Sequence, residues 1–341
     1  MKPKLLLCLA LVMSGGLFMG CAMDKPVYPN EGKEIKMNTI NVLTLDTFDA
    51  FGYNASVYLC AIASHEQSST SDIAVERGKI ILRVIKVLRG AKRQSINLPY
   101  GFIREGAAIY DGGTVVWPSL KDIGKSNILC VVVPNAEDPI IGKIQGVNEA
   151  ASSVVVVTGE NDTQVQEMET ICNLYEIKRT PEFIKTLNRA LSDPRPAVRD
   201  FALQATVMKL GRTAPDEAVK IIQARAESYE NDEDVAEADR LIGYIEGKRG
   251  LVEPWDQMNK LLCRCLVAIA QSGSKTIRNH AISALANTVS FFNYRPDFRL
   301  QDGLTASEKK ALKNVLDSSL DKSDTNLVSN IHLLNKWIVN K

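Results

Sequence analysis

The side chains able to do acid–base, nucleophilic or metal chemistry are few and scattered in this chain of 341 residues, which holds three histidines and seven cysteines. His65, His280 and His332 form no HxxxH or HExxH pair, so no helix face offers two imidazoles to zinc, and no Cys/His cluster has ligand spacing. Cys263 and Cys265 lie two apart, which on a helix turns them to different sides and is not a CxxC redox or zinc motif. Walker A, GxGxxG and GxSxG patterns are absent. Asp232-Glu233-Asp234 lacks the glycine and the closing glutamate of a calcium loop and reads as the acidic start of a helix, where it complements the dipole. No catalytic residue, metal site or cofactor is therefore expected. Dispersed carboxylates converging in space, as in a periplasmic hydrolase without a visible motif, remain an alternative.

The elements that would position any site fall into two expected domains. The composition is 45% hydrophobic, 24% charged and 6% aromatic. That is ordinary for globular proteins and excludes collagen-like, mucin-like and wholly disordered chains. With 41 Lys and Arg against 40 Asp and Glu, the net charge of +1 gives no pull toward nucleic acid or an acidic membrane. Short apolar runs at 57–62, 79–88, 95–98, 115–117, 128–133 and 153–157, separated by Gly and Pro, predict strands in a domain spanning 46–160. Cys60 and Cys130 fall in two of these runs, as a disulfide in an oxidising compartment or as two buried thiols. Beyond Asp162 the period becomes helical, with helices expected over 164–177, 181–191, 196–210, 215–229, 232–246, 254–271, 275–291, 306–320 and 325–339 in a domain spanning 162–341. Pro181, Pro196, Pro215 and Pro254 mark starts; Gly211, Gly247, Gly250 and Gly273 mark ends.

The N-terminus carries Lys2 and Lys4 before an uncharged run over 5–23, the pattern of an export segment. Leu17-Phe18-Met19-Gly20-Cys21 resembles the lipobox of bacterial lipoproteins. The resemblance implies a signal peptide over 1–20, an acylated Cys21 as first mature residue, and a polar tether over 21–45. Ala22 resembles the enteric signal for the outer membrane, with the protein facing the periplasm. Gly20-Cys21-Ala22 also fits an ordinary signal-peptidase site, and the apolar run is long enough to stay as an anchor.

In the first domain, Val84-Ile85-Lys86-Val87-Leu88-Arg89-Gly90 and Gly124-Lys125-Ser126-Asn127-Ile128-Leu129 resemble the small OB-type barrel of the netrin and metalloproteinase-inhibitor class. Inhibition through a free N-terminal cysteine amine is not expected, because Cys21 would be acylated. Arg83, Lys86, Arg89, Lys92 and Arg93 form a basic cluster without aromatic platforms, so nucleic acid is not expected. The cluster reads as a solvated face or as a site for an anionic glycan or lipid headgroup.

In the second domain, Val198-Arg199-x-x-Ala202-Leu203-x-Ala205 recurs as Ile277-Arg278-x-x-Ala281-Ile282-x-Ala284, close to two units of roughly 40 residues. The segment over 184–199 resembles a HEAT repeat. The resemblance implies that Asp193 closes the turn between paired helices and that Arg199, repeated as Arg278, reaches an acceptor in the same or the next unit. Gly273-Ser274 replaces Asp-Pro, and Val328 stands where a third arginine would fall. The aromatic stretch Phe291, Phe292, Tyr294 and Phe298 either plugs a helix end or forms an interaction patch. The expected fold is α+β, a small barrel followed by a helical repeat. The expected function is a membrane-anchored, non-catalytic scaffold for a protein or peptide, with glycan or lipid sensing by the first domain as the alternative.

Overall fold

The computed structural model describes residues 55–67, 75–103, 128–133, 137–138, 142–143, 153–293, 295, 298–319 and 323–339. The expected signal segment, Cys21, the tether, the run at 115–117 and Tyr294 lie outside the described residues. The chain divides into two compact units, Met1–Asn173 and Leu174–Lys341.

In the first unit, β1 (Ser56–Gln67), β2 (Val75–Arg89), β3 (Ser95–Ile103), β4 (Ile128–Val133) and β7 (Ser153–Val156) form an antiparallel sheet in the order β3-β2-β1-β4-β7. Two short strands, β5 (Glu137–Asp138) and β6 (Gly142–Lys143), pair with each other. Successive residues of a strand point to opposite faces, yet Val57, Tyr58, Leu59 and Cys60 are all buried, so β1 is covered on both sides. That explains its unbroken apolar run. The register sets Cys60 opposite Leu129 and Cys130 opposite Leu59, which turns the two thiols to opposite faces of the sheet. Both are free and buried. After the sheet, α1 (Thr163–Glu176) begins at Asp162, whose carboxylate accepts from the Thr158 and Gln164 backbone N–H groups at 2.8 and 2.9 Å. Burial would raise its pKa, but these bonds prevail and hold it below the usual carboxylate range.

The second unit contains α2 (Thr180–Ala190), α3 (Pro196–Ala205), α4 (Pro215–Glu227), α5 (Asp232–Lys248), α6 (Trp255–Ile269), α7 (Lys275–Phe292), α8 (Ala306–Ser318) and α9 (Thr325–Val339). Pro181, Pro196 and Pro215 occupy first-turn positions, where the missing N–H has no helical partner to lose. Asn231 with Asp234 and Thr305 with Glu308 close reciprocal caps on α5 and α8, and Ser274 caps α7. Consecutive helices alternate between two layers. In one, α3 packs on α5, α5 on α7 and α7 on α9; in the other, α4 packs on α6 and α6 on α8. Sandwiched between neighbours, α6 is buried from Leu261 to Ala270 apart from Arg264, which accounts for apolar residues around its whole circumference.

Three features differ from the expected pattern. The helix expected over 196–210 changes at Thr206–Leu210 to a wider π-helical turn and continues through Gly211–Thr213. The widened turn carries Lys209, whose Nζ donates to the Tyr175 and Ile177 carbonyls and lies 5.0 and 4.6 Å from the Tyr175 and Phe183 rings. Gly211, expected as a helix stop, instead lies inside the helical run. A Cβ there would overlap the Leu261 side chain, so its role is to let α6 approach. Gly247 likewise sits within α5 and ends nothing.

Candidate functional site

Each layer of helices is laced by polar side chains at separations near 40 residues. Between α3 and α5 the links centre on the buried Arg199, Asp200 and Glu237. Arg199 donates through Nη1 to the Asp193 and Pro194 carbonyls at 2.9 and 3.0 Å, through Nε to Glu237 at 2.7 Å, and through Nη2 to Glu233. Glu237 has no exposed surface, and its second oxygen accepts from Arg225 Nε at 2.8 Å and Tyr229 OH at 3.2 Å. Burial alone would raise the Glu237 pKa; the two guanidinium groups outweigh it and hold it below the glutamate range. Burial and the Glu237 charge raise the Tyr229 phenol. Arg240 grips Asp200 through two bonds of 2.7 and 3.1 Å, yet burial of Asp200 prevails and its pKa is raised.

Asp193 lies in the α2–α3 turn and receives the Arg195 backbone N–H, Nε and Nη2 at 3.0, 2.7 and 2.8 Å, which lower its pKa. Arg278 repeats the turn contacts of Arg199. Its Nη1 donates to the carbonyls six and five residues back, Ser272 and Gly273, at 3.1 and 3.5 Å. The likeness ends there, because the buried Nε of Arg278 has no hydrogen-bond partner among the described residues. Arg199 locks two helix pairs together, whereas Arg278 closes its own turn.

Between α5, α7 and α9 the links come to the surface. His280 Nδ1 and Asp239 lie 2.6 Å apart, with half-exposed side chains. Asn287 donates to Glu246 at 3.3 Å, and Asn330 to Ser283 at 3.3 Å. Asp239 and Glu246 are seven apart on α5, and His280, Ser283 and Asn287 follow at three and seven on α7, so each set shares one helix face. The face therefore presents carboxylates, an imidazole, a hydroxyl and amides in rows across three helices. Among the described residues the His280 ring is hydrogen-bonded to the Asp239 carboxylate, and Ser283 lies one helical turn further along α7. In the other layer, Arg264 joins Asp216 and Glu308 at 2.7 and 2.8 Å.

His65 is in β1 opposite Ile80, and His332 is exposed on α9. The thiols of Cys60, Cys130 and Cys265 are pushed up to about 12 by burial and that of Cys263 is also raised, which leaves little reactive thiolate. Among the described residues no group of three or more His, Cys, Asp or Glu is arranged to hold a metal ion, and no helix is long and apolar enough to cross a membrane. Within the basic cluster, Lys86 pairs with Glu169 and Arg89 bonds the Ala55 carbonyl.

Phe291, Phe292 and Phe298 gather around Trp255 at one end of the helices. Phe298 and Phe292 lie 4.6 and 5.5 Å from Trp255, and Phe291 lies 5.0 Å from Phe292. Arg295 covers Trp255 at 4.7 Å and Arg249 covers Phe291 at 4.9 Å. Phe292 is buried, while Phe291 keeps 39% of its surface exposed. Trp255 went unrecognised as a cluster member because 36 residues separate it from Phe291. Opposite charges about 40 residues apart, such as Asp200 and Arg240, are the one sequence signal that could have pointed to such a link.

The chain matches no family model, no curated protein sequence and no solved structure.

Proposed function

We propose that this is an envelope-anchored, non-catalytic binding protein that holds a protein or peptide partner on the face shared by α5, α7 and α9. The observation that carries the reading is the row of polar links across α5, α7 and α9, in which Asp239–His280 and Glu246–Asn287 are exposed and Ser283–Asn330 is half-buried. An extended array of donors and acceptors suits recognition spread over many side chains; catalysis needs a few groups converging in one pocket. The alternation of helices between two layers and the matching turn contacts of Arg199 and Arg278 support a HEAT-like stack, in which each pair buries the apolar stripe of the next. A barrel-like first domain of the OB or netrin kind is part of this reading, resting on the antiparallel order β3-β2-β1-β4-β7 of short apolar strands.

The anchor in this proposal is acylated Cys21, placing the chain at the outer membrane facing the periplasm, with no nucleic-acid partner and no cofactor. Metabolic labelling with an alkyne palmitate tests it: the protein should be tagged, and Cys21→Ala should abolish the tag. A tag that survives the substitution rejects the anchor. Affinity capture from crosslinked envelopes should then recover a partner with the intact chain and lose it when Asp239, His280 and Asn287 are replaced together in a folded variant. Unchanged capture rejects the face.

A further inference from the structure

Four guanidinium groups of the helical unit close the edge formed by Nε and Nη2 with carboxylate oxygens. Arg195 meets Asp193 at 2.7 and 2.8 Å, and Arg240 meets Asp200 at 2.7 and 3.1 Å. Arg264 meets Glu308 at 2.8 Å and Asp216 at 2.7 Å, and Arg199 meets Glu237 at 2.7 Å together with Glu233. Arg278 departs from this pattern. Its Nη1 is taken by the Ser272 and Gly273 carbonyls, while the buried Nε has no hydrogen-bond partner and Nη2 makes no bond among the described residues. In Arg199, its counterpart in the recurring motif, the same edge is filled by two carboxylates from the next helix pair.

The following residue repeats the contrast. Asp200 is gripped by Arg240, whereas the buried Oδ1 of its counterpart Asn279 has no partner among the described residues. Both unpartnered atoms belong to positions that, in the first copy, receive side chains from the following pair. The reason is in the sequence of α9. Glu233 and Glu237 are the second and sixth residues of α5; those of α9 are Asn326 and Asn330, and Asn330 donates to Ser283 at 3.3 Å. Asp324, just before α9, accepts from the Leu327 backbone N–H at 2.9 Å. A buried donor without an acceptor destabilises the fold that holds it, and a ligand that supplies the acceptor recovers that free energy on binding. Arg278 is half-buried, and the turn that carries it is exposed at Gly273.

We infer that the Nε–Nη2 edge of Arg278 is a docking point for a carboxylate of the bound peptide, in the place that Glu237 and Glu233 take on Arg199. The planar fork sets the chemistry, because its two N–H donors match the two oxygens of one carboxylate and a lysine ammonium does not. An aspartate or glutamate side chain and a free chain end offer the same group. The inference deepens the partner-binding reading and rests on it for the peptide nature of the ligand.

The test follows the Arg278 Nε–H resonance by nuclear magnetic resonance in the purified, isotope-labelled full chain, assigned by its disappearance in Arg278→Lys. Three short peptides are added in turn: acetyl-Ala-Glu-Ala-amide, acetyl-Ala-Ala-Ala with a free carboxyl end, and acetyl-Ala-Gln-Ala-amide. A saturating shift is expected with at least one carboxylate peptide and none with the glutamine peptide, while the Arg199 Nε–H stays unmoved throughout. Which carboxylate acts separates a side chain from a chain end as the source. In Arg278→Lys, with native circular dichroism, the backbone amides over 272–279 should no longer respond to that peptide. The inference is overturned if neither carboxylate moves the resonance to saturation, or if the glutamine peptide or inorganic phosphate moves it as far. It is equally overturned if Arg278→Lys keeps the response. Because the peptides act on purified protein, such a result removes this docking point and leaves capture by the α5–α7–α9 face to its own test in envelopes.

Discussion

Arg199 and Glu237 are 38 residues apart in sequence and 2.7 Å apart in the fold, joined across α3 and α5 by an ion pair closed to solvent on the glutamate side. Each group has further partners, so removing either leaves the others buried and unmatched. Glu237→Ala should cost about 3–5 kcal/mol, the range for breaking a buried pair. Chemical unfolding followed by the helical circular-dichroism signal measures it, and a loss below about 1 kcal/mol would contradict the burial of the network.

Acid should separate Glu237 from Asp200. The Glu237 pKa is lowered in the folded chain, so its contribution is present above the ordinary glutamate value of about 4.3 and is lost as pH falls through the lowered value. Asp200 has the opposite sign: its pKa is raised, so its ionised form opposes folding and protonation relieves that cost. Glu237→Gln should therefore flatten the acid limb of the stability curve and cost more at neutral pH than Asp200→Asn. Equal losses and parallel acid limbs would show that the two carboxylates are not distinguished in this way.

The two repeated arginines should not be equivalent. Arg199 reaches both its turn and the next helix pair, whereas Arg278 reaches only turn carbonyls among the described residues. Arg278→Ala should cost about 1 kcal/mol and Arg199→Ala about 3 kcal/mol. The same unfolding assay ranks them, and the reverse order would refute the distinction.

This pair also marks how far the sequence could be read. The recurrent Val-Arg-x-x-Ala and Ile-Arg-x-x-Ala motifs located two equivalent helix starts, because a turn that needs its carbonyls capped selects the same residue at the same offset. Prolines 181, 196 and 215 located starts for a similarly local reason, and the apolar run at 128–133 coincides with β4. Glu237 was not legible: it is one acid in the acid-rich α5, and only the arrival of Arg199 and Arg225 from other helices makes it a buried anchor. Gly211 was misread as a stop because its significance lies in Leu261, fifty positions on, and no local pattern records that approach. The polar face escaped notice for the same reason, since Asp239 and His280 become neighbours only through the stacking of α5 on α7.

Gly211→Ala should destabilise the helical unit by about 1–3 kcal/mol through overpacking against Leu261. Leu261→Ala removes the obstructing branch, so in the double variant part of the Gly211 cost should disappear, an interaction energy visible in a double-mutant cycle. Strict additivity would mean that the glycine serves some purpose other than close approach.

Lys209→Met should cost about 1–3 kcal/mol, since it removes charged hydrogen bonds to the Tyr175 and Ile177 carbonyls while retaining much of the apolar stem. Unfolding at neutral pH provides the check, and a variant as stable as the parent would show that the widened turn does not depend on this contact.

The central claim, capture of a partner on the α5–α7–α9 face without catalysis, is tested most directly by site-specific photocrosslinking in intact envelopes. A photoreactive residue is placed in turn at Ser283, Asn287 and Asn330, and at Arg83 on β2 as the comparison. The account predicts that the three helical positions capture the same protein or peptide and that Arg83 does not. Capture from Arg83 alone, or no adduct from any helical position in cells where the protein is folded and active, would contradict it.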